Sequence, residues 1–360
     1  MSVPLFASSI DRYVPRLTEK VAEVVSGGRF ILGPEVQTFE EEFAAYLGVK
    51  HCVGVANGTD ALAIALRALG VRPGDEVVCP SYTFYATVEA VVDIGATPVF
   101  CDVDPLSFNL TPETVKSAMT PRTRAIVAVH LWGNPAPVPA LRALGVPVLE
   151  DAAQAAGASL DGVKAGALGD AATFSFFPSK NLPCLGDGGA VVTDDDIVAR
   201  LARRLRFHGS DDKITFLEVG YNSRLDELQA AALRVLLPEL DGWTAARQAV
   251  AASYDRNGLG RLVATPAPSS GAKHAYHLYV VRHPRADELA GALAERGVVT
   301  RGYYRVPVHR QPAIEPLVPN SLELPGTDEV ARTGLALPMG TGLSDDAVLE
   351  VVEACAAATG

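Results

Sequence analysis

One lysine differs in its surroundings from the other six lysines of this 360-residue sequence. Lys180 lies in an apolar run at residues 173–181 (TFSFFPSKN), and a glycine-rich run follows at 185–193 (LGDGGAVVT). Burial favours the neutral, nucleophilic amine of a lysine, and such an amine forms Schiff bases with carbonyl compounds. The pattern predicts a reactive lysine, and the alternative is a solvated lysine in a surface loop.

A predicted buried strand leads directly into acidic residues at positions 146–154 (VPVLEDAAQ). Ligands collect at the carboxyl ends of the strands in open α/β sheets, so Asp151 and Gln154 stand where a ligand would bind. A carboxylate at this place can hold a cationic ring nitrogen. The alternative is that it caps a helix.

A tight turn with the sequence NGTDAL joins a predicted strand to a predicted helix. The backbone N–H groups of Gly58, Thr59 and Asp60 would open the helix, and together with the helix dipole they can bind an anion. The alternative is an Asn-Gly turn with a Thr or Asp cap. No GxGxxG follows a strand, so the turn does not indicate dinucleotide binding.

Asn222, Ser223 and Arg224 precede a strongly helical segment in the run 220–231 (GYNSRLDELQAA). These side chains are candidates for binding a ligand. The alternative is a capping box, in which Ser223 caps the helix and Asp226 lies three residues further on.

Short β-branched runs alternate with helical patterns between residues 51 and 193, which predicts a mostly parallel sheet flanked by helices. The predicted strands are 52–55, 76–79, 97–101, 125–130, 146–150, 173–177 and 190–193, the last two as a pair around the loop 178–189. The predicted helices are 59–69, 85–94, 194–206, 225–237 and 240–257.

Residues 264–273 (ATPAPSSGAK) have the composition of a linker. Beyond them, strands at 276–281 and 298–303 and helices at 287–296 and 345–358 predict a smaller α+β domain. We place the boundary at Trp243, which gives a large domain of residues 1–243 and a small domain of residues 244–360.

The composition excludes several classes of protein. Lys and Arg number 31 against 42 Asp and Glu, and the net charge of −11 argues against nucleic acid or anionic lipid as a partner. The five cysteines are scattered without a CxxC pair, which favours a reduced, cytoplasmic protein and no metal site. No signal peptide and no membrane span are expected, because no apolar run is long enough.

These features together meet the needs of one cofactor. Pyridoxal phosphate requires a lysine for its Schiff base, an acid for its pyridinium nitrogen and a site for its phosphate. The lysine, the carboxylate and the turn described above supply these three groups, and Tyr82 and Phe84 add an aromatic pair. The combination is far more specific than any one motif.

With these motifs the sequence resembles the DegT/DnrJ/EryC1/StrS sugar aminotransferases, which are fold-type I (aspartate aminotransferase-like) enzymes dependent on pyridoxal phosphate. The matches keep their order along nearly the whole chain. They are FILGPEVQTFEEEFAAYLGVKH, NGTDAL, GDEVVCPSYTFYAT, GATPVFCDVD, VHLWG, VLEDAAQAAGA, GDAATFSFFPSKNL, GDGGAVVTDD, GYNSRLDELQAA, HLYVVR and VPVHRQPA. The resemblance implies a large domain with a mostly parallel central sheet and a smaller C-terminal α+β domain.

The resemblance also implies a role for each matched residue. Lys180 would form the internal aldimine and move the proton, Asp151 would pair with the pyridinium nitrogen, and Phe84 would stack on the ring. Gln154 would contact the ring hydroxyl, and the phosphate would be held by Gly58, Thr59, Asp60, Ser175 and, from the neighbouring subunit, Asn222. The active unit is therefore expected to be a homodimer with shared active sites.

The implied reaction moves an amino group from L-glutamate, through pyridoxamine phosphate, to a nucleotide-linked keto-deoxy sugar. The acceptor would be a dTDP or UDP 3-keto or 4-keto hexose, and the segments VHLWG and VPVHRQPA favour the 3-keto form. Candidate substrate contacts are Tyr82, His208, Lys213, Arg301, Arg305, His309 and Arg310. Those from 301 to 310 could bind the nucleotide diphosphate, and the alternative is a solvated charged edge of the small domain.

Two other functions would use the same cofactor residues. One is a regulatory or sensory protein that binds pyridoxal phosphate without turnover, although the sequence has no DNA-binding segment. The other is a fold-type I lyase, and a desulfurase-like lyase would need a reactive cysteine, for which Cys184 is the nearest candidate. The retained Lys180 argues against the dehydratase branch of the family, in which a histidine replaces the lysine.

Overall fold

A sheet of seven strands passes through the centre of the part of the chain that this computed structural model describes, residues 2–8 and 10–359. The strands are β1 (His51–Val55), β2 (Glu76–Pro80), β3 (Thr97–Cys101), β4 (Thr123–Val129), β5 (Val148–Asp151), β6 (Ser159–Leu160), β7 (Val163–Lys164), β8 (Ala171–Ser175), β9 (Gly189–Thr193), β10 (Ala272–Lys273), β11 (Tyr279–Arg282) and β12 (Gly334–Leu337). The central sheet has the order β1-β9-β8-β5-β4-β2-β3.

Five neighbouring strands of this sheet, β8, β5, β4, β2 and β3, are parallel. Strand β9 is antiparallel to both of its neighbours, β1 and β8. The carboxyl ends of β1, β5 and β8 therefore reach the same edge of the sheet, where ligands bind in open α/β folds. This mostly parallel sheet confirms the predicted fold class.

Helices cover both faces of the sheet. They are α1 (Val14–Gly27), α2 (Pro34–Leu47), α3 (Gly58–Ala68), α4 (Ala86–Asp93), α5 (Pro112–Ala118), α6 (Val138–Arg142), α7 (Asp196–Leu205), α8 (Glu227–Leu236), α9 (Leu240–Arg256), α10 (Ala286–Glu295), α11 (Pro325–Thr333) and α12 (Asp345–Thr359). Side chains alternate between the faces of a strand, so Val53 packs in one core beside α3 and Cys52 packs in the other beside α2.

A separate apolar cluster is built mainly by the C-terminal part of the chain. It gathers β11, β12, α10 and α12, and it includes Val250 of α9 and Val3 from the N-terminal segment. Helix α9 takes part in two clusters, because its Trp243 packs with the large sheet and its Val250 with this smaller unit. The predicted boundary at residue 243 thus falls inside one helix, and we propose to keep the division there while assigning Val3 to the smaller unit.

The predictions for the C-terminal region were only partly right. The strand predicted at 298–303 is wrong, because the segment forms only the isolated bridges of Val298 with Val3 and of Arg301 with Ala336. Strand β12, which pairs with β11, was not predicted. The predicted linker also ends in strand β10, which pairs with β6 beside the large sheet.

Within residues 2–8 and 10–359, no helix is long and apolar enough to cross a membrane. In the same part of the chain, no three His, Cys, Asp or Glu side chains lie together as a metal site.

Candidate active site

Asp151 is the last residue of β5, and its side chain is buried. Its Oδ2 accepts a hydrogen bond of 2.8 Å from the hydroxyl of Thr87 on α4, and its Oδ1 accepts one of 3.2 Å from the backbone N–H of Ala153. Thr87 is itself buried and bonded to Thr83 at 2.9 Å. The carboxylate is therefore held in one position by neutral donors, and no helix uses it as a cap.

Lys180 lies in the turn after β8, where its backbone N–H donates to Phe177 O at 2.8 Å. Burial lowers the pKa of its amine below the ordinary value, and the negative charge of Asp151 partly offsets this effect. The two side chains are therefore electrostatic neighbours, as expected for the ends of the adjacent parallel strands β5 and β8. The structure thus favours the desolvated lysine over the solvated one.

The turn between β1 and α3 approaches the end of β8 closely. A Cβ atom on Gly58 would lie 2.8 Å from the Cβ atom of Ser175, so only glycine fits at this position. Asn57 caps the helix, since its Oδ1 accepts the backbone N–H of Asp60 at 2.8 Å. Because the N–H of Asp60 is engaged in this way, Gly58 and Thr59 are the better candidates for holding a phosphate.

Two aromatic rings and one amide border the same region. Phe84 exposes 55% of its surface although it is aromatic, and its ring centroid lies 6.2 Å from that of Tyr304. Gln154 Oε1 accepts the backbone N–H of Trp132 at 2.7 Å, and its Nε2 donates to the Tyr304 hydroxyl at 3.4 Å. These two bonds fix the orientation of the amide, and Nε2 keeps a second N–H that can donate to a ligand.

This set of groups fits pyridoxal phosphate. The structure supplies a desolvated lysine, a buried carboxylate held by hydrogen bonds, a glycine turn at a helix N-terminus and an exposed aromatic face. The lysine would bind the cofactor's aldehyde, the carboxylate its ring nitrogen and the glycine turn its phosphate, while the aromatic side chain would cover its ring face.

The family model described as the DegT/DnrJ/EryC1/StrS aminotransferase family matches residues 13–356. The chain belongs to this family. Its cofactor is accordingly pyridoxal phosphate, as the donor set already indicated.

Proteins similar to this member of the family include enzymes and a regulator. A pleiotropic regulatory protein of Geobacillus stearothermophilus is 44% identical over 98% of this chain and 97% of the relative. A dTDP-3-amino-3,4,6-trideoxy-alpha-D-glucose transaminase of Streptomyces venezuelae is 46% identical over 93% of this chain and 89% of the relative. The solved structure of S. venezuelae DesV in complex with a ketimine intermediate has a TM-score of 0.94 at 44% identity, covering 98% of this chain and 97% of that one.

Tyr82 does not face a substrate site in this structure. Its side chain is fully buried, and its hydroxyl donates to the backbone carbonyl of Tyr303. The ring packs edge-on against Trp132 at a centroid distance of 6.1 Å. We therefore correct its predicted role from substrate contact to packing beneath the site.

The basic residues between 301 and 310 do not form a set of free cations. Arg305 donates to Asp287 and to backbone carbonyls, and Arg310 pairs with Asp328 at 2.7 Å. His309 is buried, its Nδ1 lies 2.5 Å from Ser81 Oγ, and burial lowers its pKa. These three residues tie the small unit together or to the large one, which corrects the prediction of a common diphosphate site.

Arg301 is exposed and, unlike Arg305 and Arg310, forms no salt bridge with the described residues; its guanidinium lies 5.0 Å from the centroid of the Tyr303 ring. It remains our candidate for a contact with the nucleotide.

Asn222, His208 and Lys213 lie on the loop that follows α7, and all three are exposed. Asn222 accepts a hydrogen bond from Arg224, and the ammonium of Lys213 lies 4.7 Å from the centroid of the Phe207 ring. Within one subunit these side chains thus contact residues of their own loop. Their contacts with the phosphate and the substrate stay predictions.

Sequence reasoning missed Thr87, Trp132 and Tyr304, which position the predicted residues. Each lies inside a motif that was recognised or next to one, since Thr87 ends PSYTFYAT and Trp132 stands in VHLWG. A polar residue at the start of an otherwise apolar helix was the available signal for Thr87. For Trp132, which contributes its backbone N–H, residue types carry no signal.

Proposed function

We propose that this protein transfers the amino group of L-glutamate to a nucleotide-linked keto-deoxy sugar, a dTDP or UDP hexose with a 3-keto or 4-keto group. The observation that carries the proposal is the desolvated Lys180 beside the buried, hydrogen-bonded Asp151 in a chain of this aminotransferase family. The similarity to the Streptomyces venezuelae transaminase supports a sugar with a 3-keto group. Glutamate becomes 2-oxoglutarate and the keto sugar becomes an amino sugar, so no external oxidant or reductant is needed.

The residues around Lys180 divide the work of this reaction. Bound pyridoxal phosphate supplies an electron-withdrawing ring that stabilises negative charge at the donor's Cα. Asp151, fixed by Thr87, would keep the ring nitrogen protonated. The lowered pKa of Lys180 favours its neutral amine, which can accept a proton. Lys180 would take the proton from Cα and deliver it to the cofactor's C4′ carbon. Gly58 and Thr59 would hold the phosphate, and Phe84 would cover one face of the ring.

The donor half of the proposal is tested by absorbance spectroscopy of the purified holoenzyme. L-Glutamate is expected to replace the visible band of the Schiff base with the near-ultraviolet band of pyridoxamine phosphate, and 2-oxoglutarate is expected to restore the visible band. D-Glutamate serves as the control, since an asymmetric site should reject it. A visible band that no L-amino acid changes would contradict the aminotransferase.

The acceptor half uses the same signal in reverse. The pyridoxamine form is mixed with dTDP and UDP hexoses that carry the keto group at position 3 or 4. The acceptor is the sugar that restores the visible band at the highest rate, and we expect a 3-keto hexose. Failure of every nucleotide sugar to restore it would contradict this part of the proposal.

We further propose a homodimer with shared sites. The loop that carries Asn222 exposes four apolar side chains, those of Ile214, Phe216, Leu217 and Val219, by 83%, 60%, 56% and 85%. Apolar side chains exposed together mark a surface that another protein covers. A second copy of the chain would cover this loop and would place Asn222 near the partner's phosphate turn.

Mixed dimers test this arrangement. Lys180→Ala and Asn222→Ala subunits should each be inactive or impaired alone, but a dimer with one of each would hold one intact site if Asn222 serves the partner. Random mixing should then restore about a quarter of the wild-type activity, because half of the dimers are mixed and each has one good site of two. Activity that stays at the mean of the two parent variants would show that Asn222 acts within its own subunit.

The second candidate function is a regulator that binds the cofactor without turnover. It is favoured by the similarity to the pleiotropic regulatory protein of Geobacillus stearothermophilus. The spectroscopic test separates the two, because a regulator would show the visible band and keep it in the presence of every amino donor.

The cysteines weigh against a desulfurase-like lyase. Cys184 is buried beside the lysine turn, and burial raises its pKa to about 11, so the thiolate that such chemistry needs is not formed at neutral pH. All five cysteines are buried free thiols. Unpaired thiols support our proposal of a cytoplasmic location, where disulfides are rare.

A further inference from the structure

Ser223 stands next to Asn222 in the chain, and its side chain is fully buried. It does not cap helix α8, whose N-cap is Asp226. Its Oγ instead accepts a hydrogen bond of 3.1 Å from the backbone N–H of Ala56. Ala56 lies two residues before Gly58, where the phosphate turn opens helix α3. The serine therefore joins the loop that carries Asn222 to the phosphate turn of its own subunit.

Helix α3 makes a second contact with this loop at the end opposite to the turn. Arg67, in the last turn of α3, donates a hydrogen bond of 2.7 Å to the carbonyl of Val219. Its guanidinium also lies 5.2 Å from the centroid of the Tyr221 ring. The loop is thus fastened to both ends of the element that would hold the phosphate.

The backbone around Ser223 is anchored independently of its hydroxyl. The N–H of Ser223 donates to the carbonyl of Arg206 at 3.0 Å, and Arg206 Nη1 donates to the carbonyl of Gly54 at 2.7 Å. Glu40 pairs with Arg206 and also accepts the backbone N–H of Gly54 at 2.7 Å. Loss of the hydroxyl should therefore leave the loop in place and release only the N–H of Ala56.

The phosphate turn is packed too closely to absorb a shift of Ala56. A Cβ atom on Gly58 would lie 2.8 Å from the Cβ atom of Ser175, and one on Gly189 would overlap the carbonyl oxygen of Asn57. Closely packed groups transmit a displacement to their neighbours. The bond from Ala56 to Ser223 is therefore placed to set the position of the turn.

We propose that Ser223 is a positioning residue that couples the two cofactor sites of the dimer. The proposal rests on the proposed dimer with shared sites, in which Asn222 reaches the partner's phosphate. A turn that is ordered by a bound phosphate holds Ser223, and with it Asn222, in the position that the partner needs. The two-fold axis makes this coupling reciprocal, so the two subunits bind pyridoxal phosphate with positive cooperativity.

The test uses a cofactor-free heterodimer, isolated with two different affinity tags, in which one subunit carries Lys180→Ala and is called the silent subunit. Only the other subunit can form a Schiff base, so its visible band reports one site during titration with pyridoxal phosphate. Ser223→Ala is then added to the silent subunit. The dissociation constant at the reporting site is expected to rise about 3- to 10-fold, the amount that corresponds to one neutral hydrogen bond.

Three further variants of the silent subunit accompany this titration. Ser223→Thr keeps the hydroxyl and should keep the affinity of the parent heterodimer at the reporting site. Ser253→Ala is the matched control, because it also removes a buried hydroxyl, one that bonds to Asp345 at 2.6 Å in the smaller unit, and it should change nothing. If Ser223→Ala does not fold, Arg67→Met decides by the same titration, since it removes the bond to Val219.

Asn222→Ala in the silent subunit separates the two ways in which the proposal can fail. If it raises the dissociation constant while Ser223→Ala and Arg67→Met do not, the shared site stands and the coupling through Ser223 is overturned. If it has no effect either, the proposed shared site is wrong and the coupling fails with it. No amino donor is used, so neither result depends on the proposed reaction.

The homodimer gives an independent measurement. The Hill coefficient for pyridoxal phosphate binding should exceed 1 in the wild type and fall towards 1 in Ser223→Ala. A role confined to the stability of one subunit would lower the affinity without changing this coefficient. Independent binding to the two wild-type subunits would overturn the coupling.

Discussion

Lys180→Ala is expected to lose amino transfer by about 10⁴-fold or more, because one substitution removes both the Schiff-base amine and the group that moves the proton. The variant should also lose the visible absorbance band when it is mixed with pyridoxal phosphate. Steady-state kinetics and the spectrum measure the two effects. Added methylamine, which can replace part of the missing amine, should restore a fraction of the rate.

The fold should survive this change, because burial of the charged Lys180 side chain costs stability, as its lowered pKa indicates. Burial gives Lys180 a lower pKa in the folded protein than its ordinary value of 10.5. The unfolded chain therefore binds more protons between these two values, and the stability contributed by this site rises with pH across that window. In urea unfolding of the cofactor-free protein, wild type should gain stability relative to Lys180→Met as the pH rises. Parallel pH profiles of the two proteins would contradict the burial of Lys180. Full activity in Lys180→Ala would refute its catalytic role.

Asp151→Asn is expected to lower kcat of both half-reactions by about 10²- to 10⁴-fold. The amide has the same shape and can still accept the hydrogen bond from Thr87, although it then loses the one from the N–H of Ala153, and it carries no negative charge to keep the ring nitrogen protonated. Cofactor binding should change much less, since the phosphate turn at Gly58 is a separate part of the site. Single-turnover kinetics with L-glutamate and equilibrium titration with pyridoxal phosphate measure the two quantities.

Thr87→Val is the graded control for this result. It keeps the carboxylate of Asp151 but removes one of its hydrogen bonds, which corresponds to about a 10-fold loss or less. If Asp151→Asn retained a rate within a few-fold of wild type, or if both variants lost the same amount, the charge of Asp151 would not be the cause.

The main groups of the site could be predicted because they follow from local sequence and from one rule of topology. Asp151 ends one strand, the turn that carries Lys180 follows the neighbouring strand, and parallel neighbouring strands end at one edge of a sheet. The burial of Lys180 was also visible in the apolar residues on either side. These signals lie within a few residues of the group concerned.

The parts that failed depend on contacts between distant segments. The run 298–303 has the composition of a strand, but a Cβ atom on Gly302 would lie 2.5 Å from Arg305 Cζ. The chain bends around this guanidinium, which donates to the carbonyl of Ala331, and tertiary contact overrides strand propensity. The burial of Tyr82 and His309 also arises from the packing of the small unit against the large one, which residue types do not reveal.

Helix α9 links two apolar cores of the molecule. Trp243 is anchored in one core and Val250 in another, and Arg247 projects from the same helix between them. The seven residues from Trp243 to Val250 span about 10 Å of a rigid rod. A helix of this length does not bend between its two anchors, so it holds the large and the small unit at a fixed spacing.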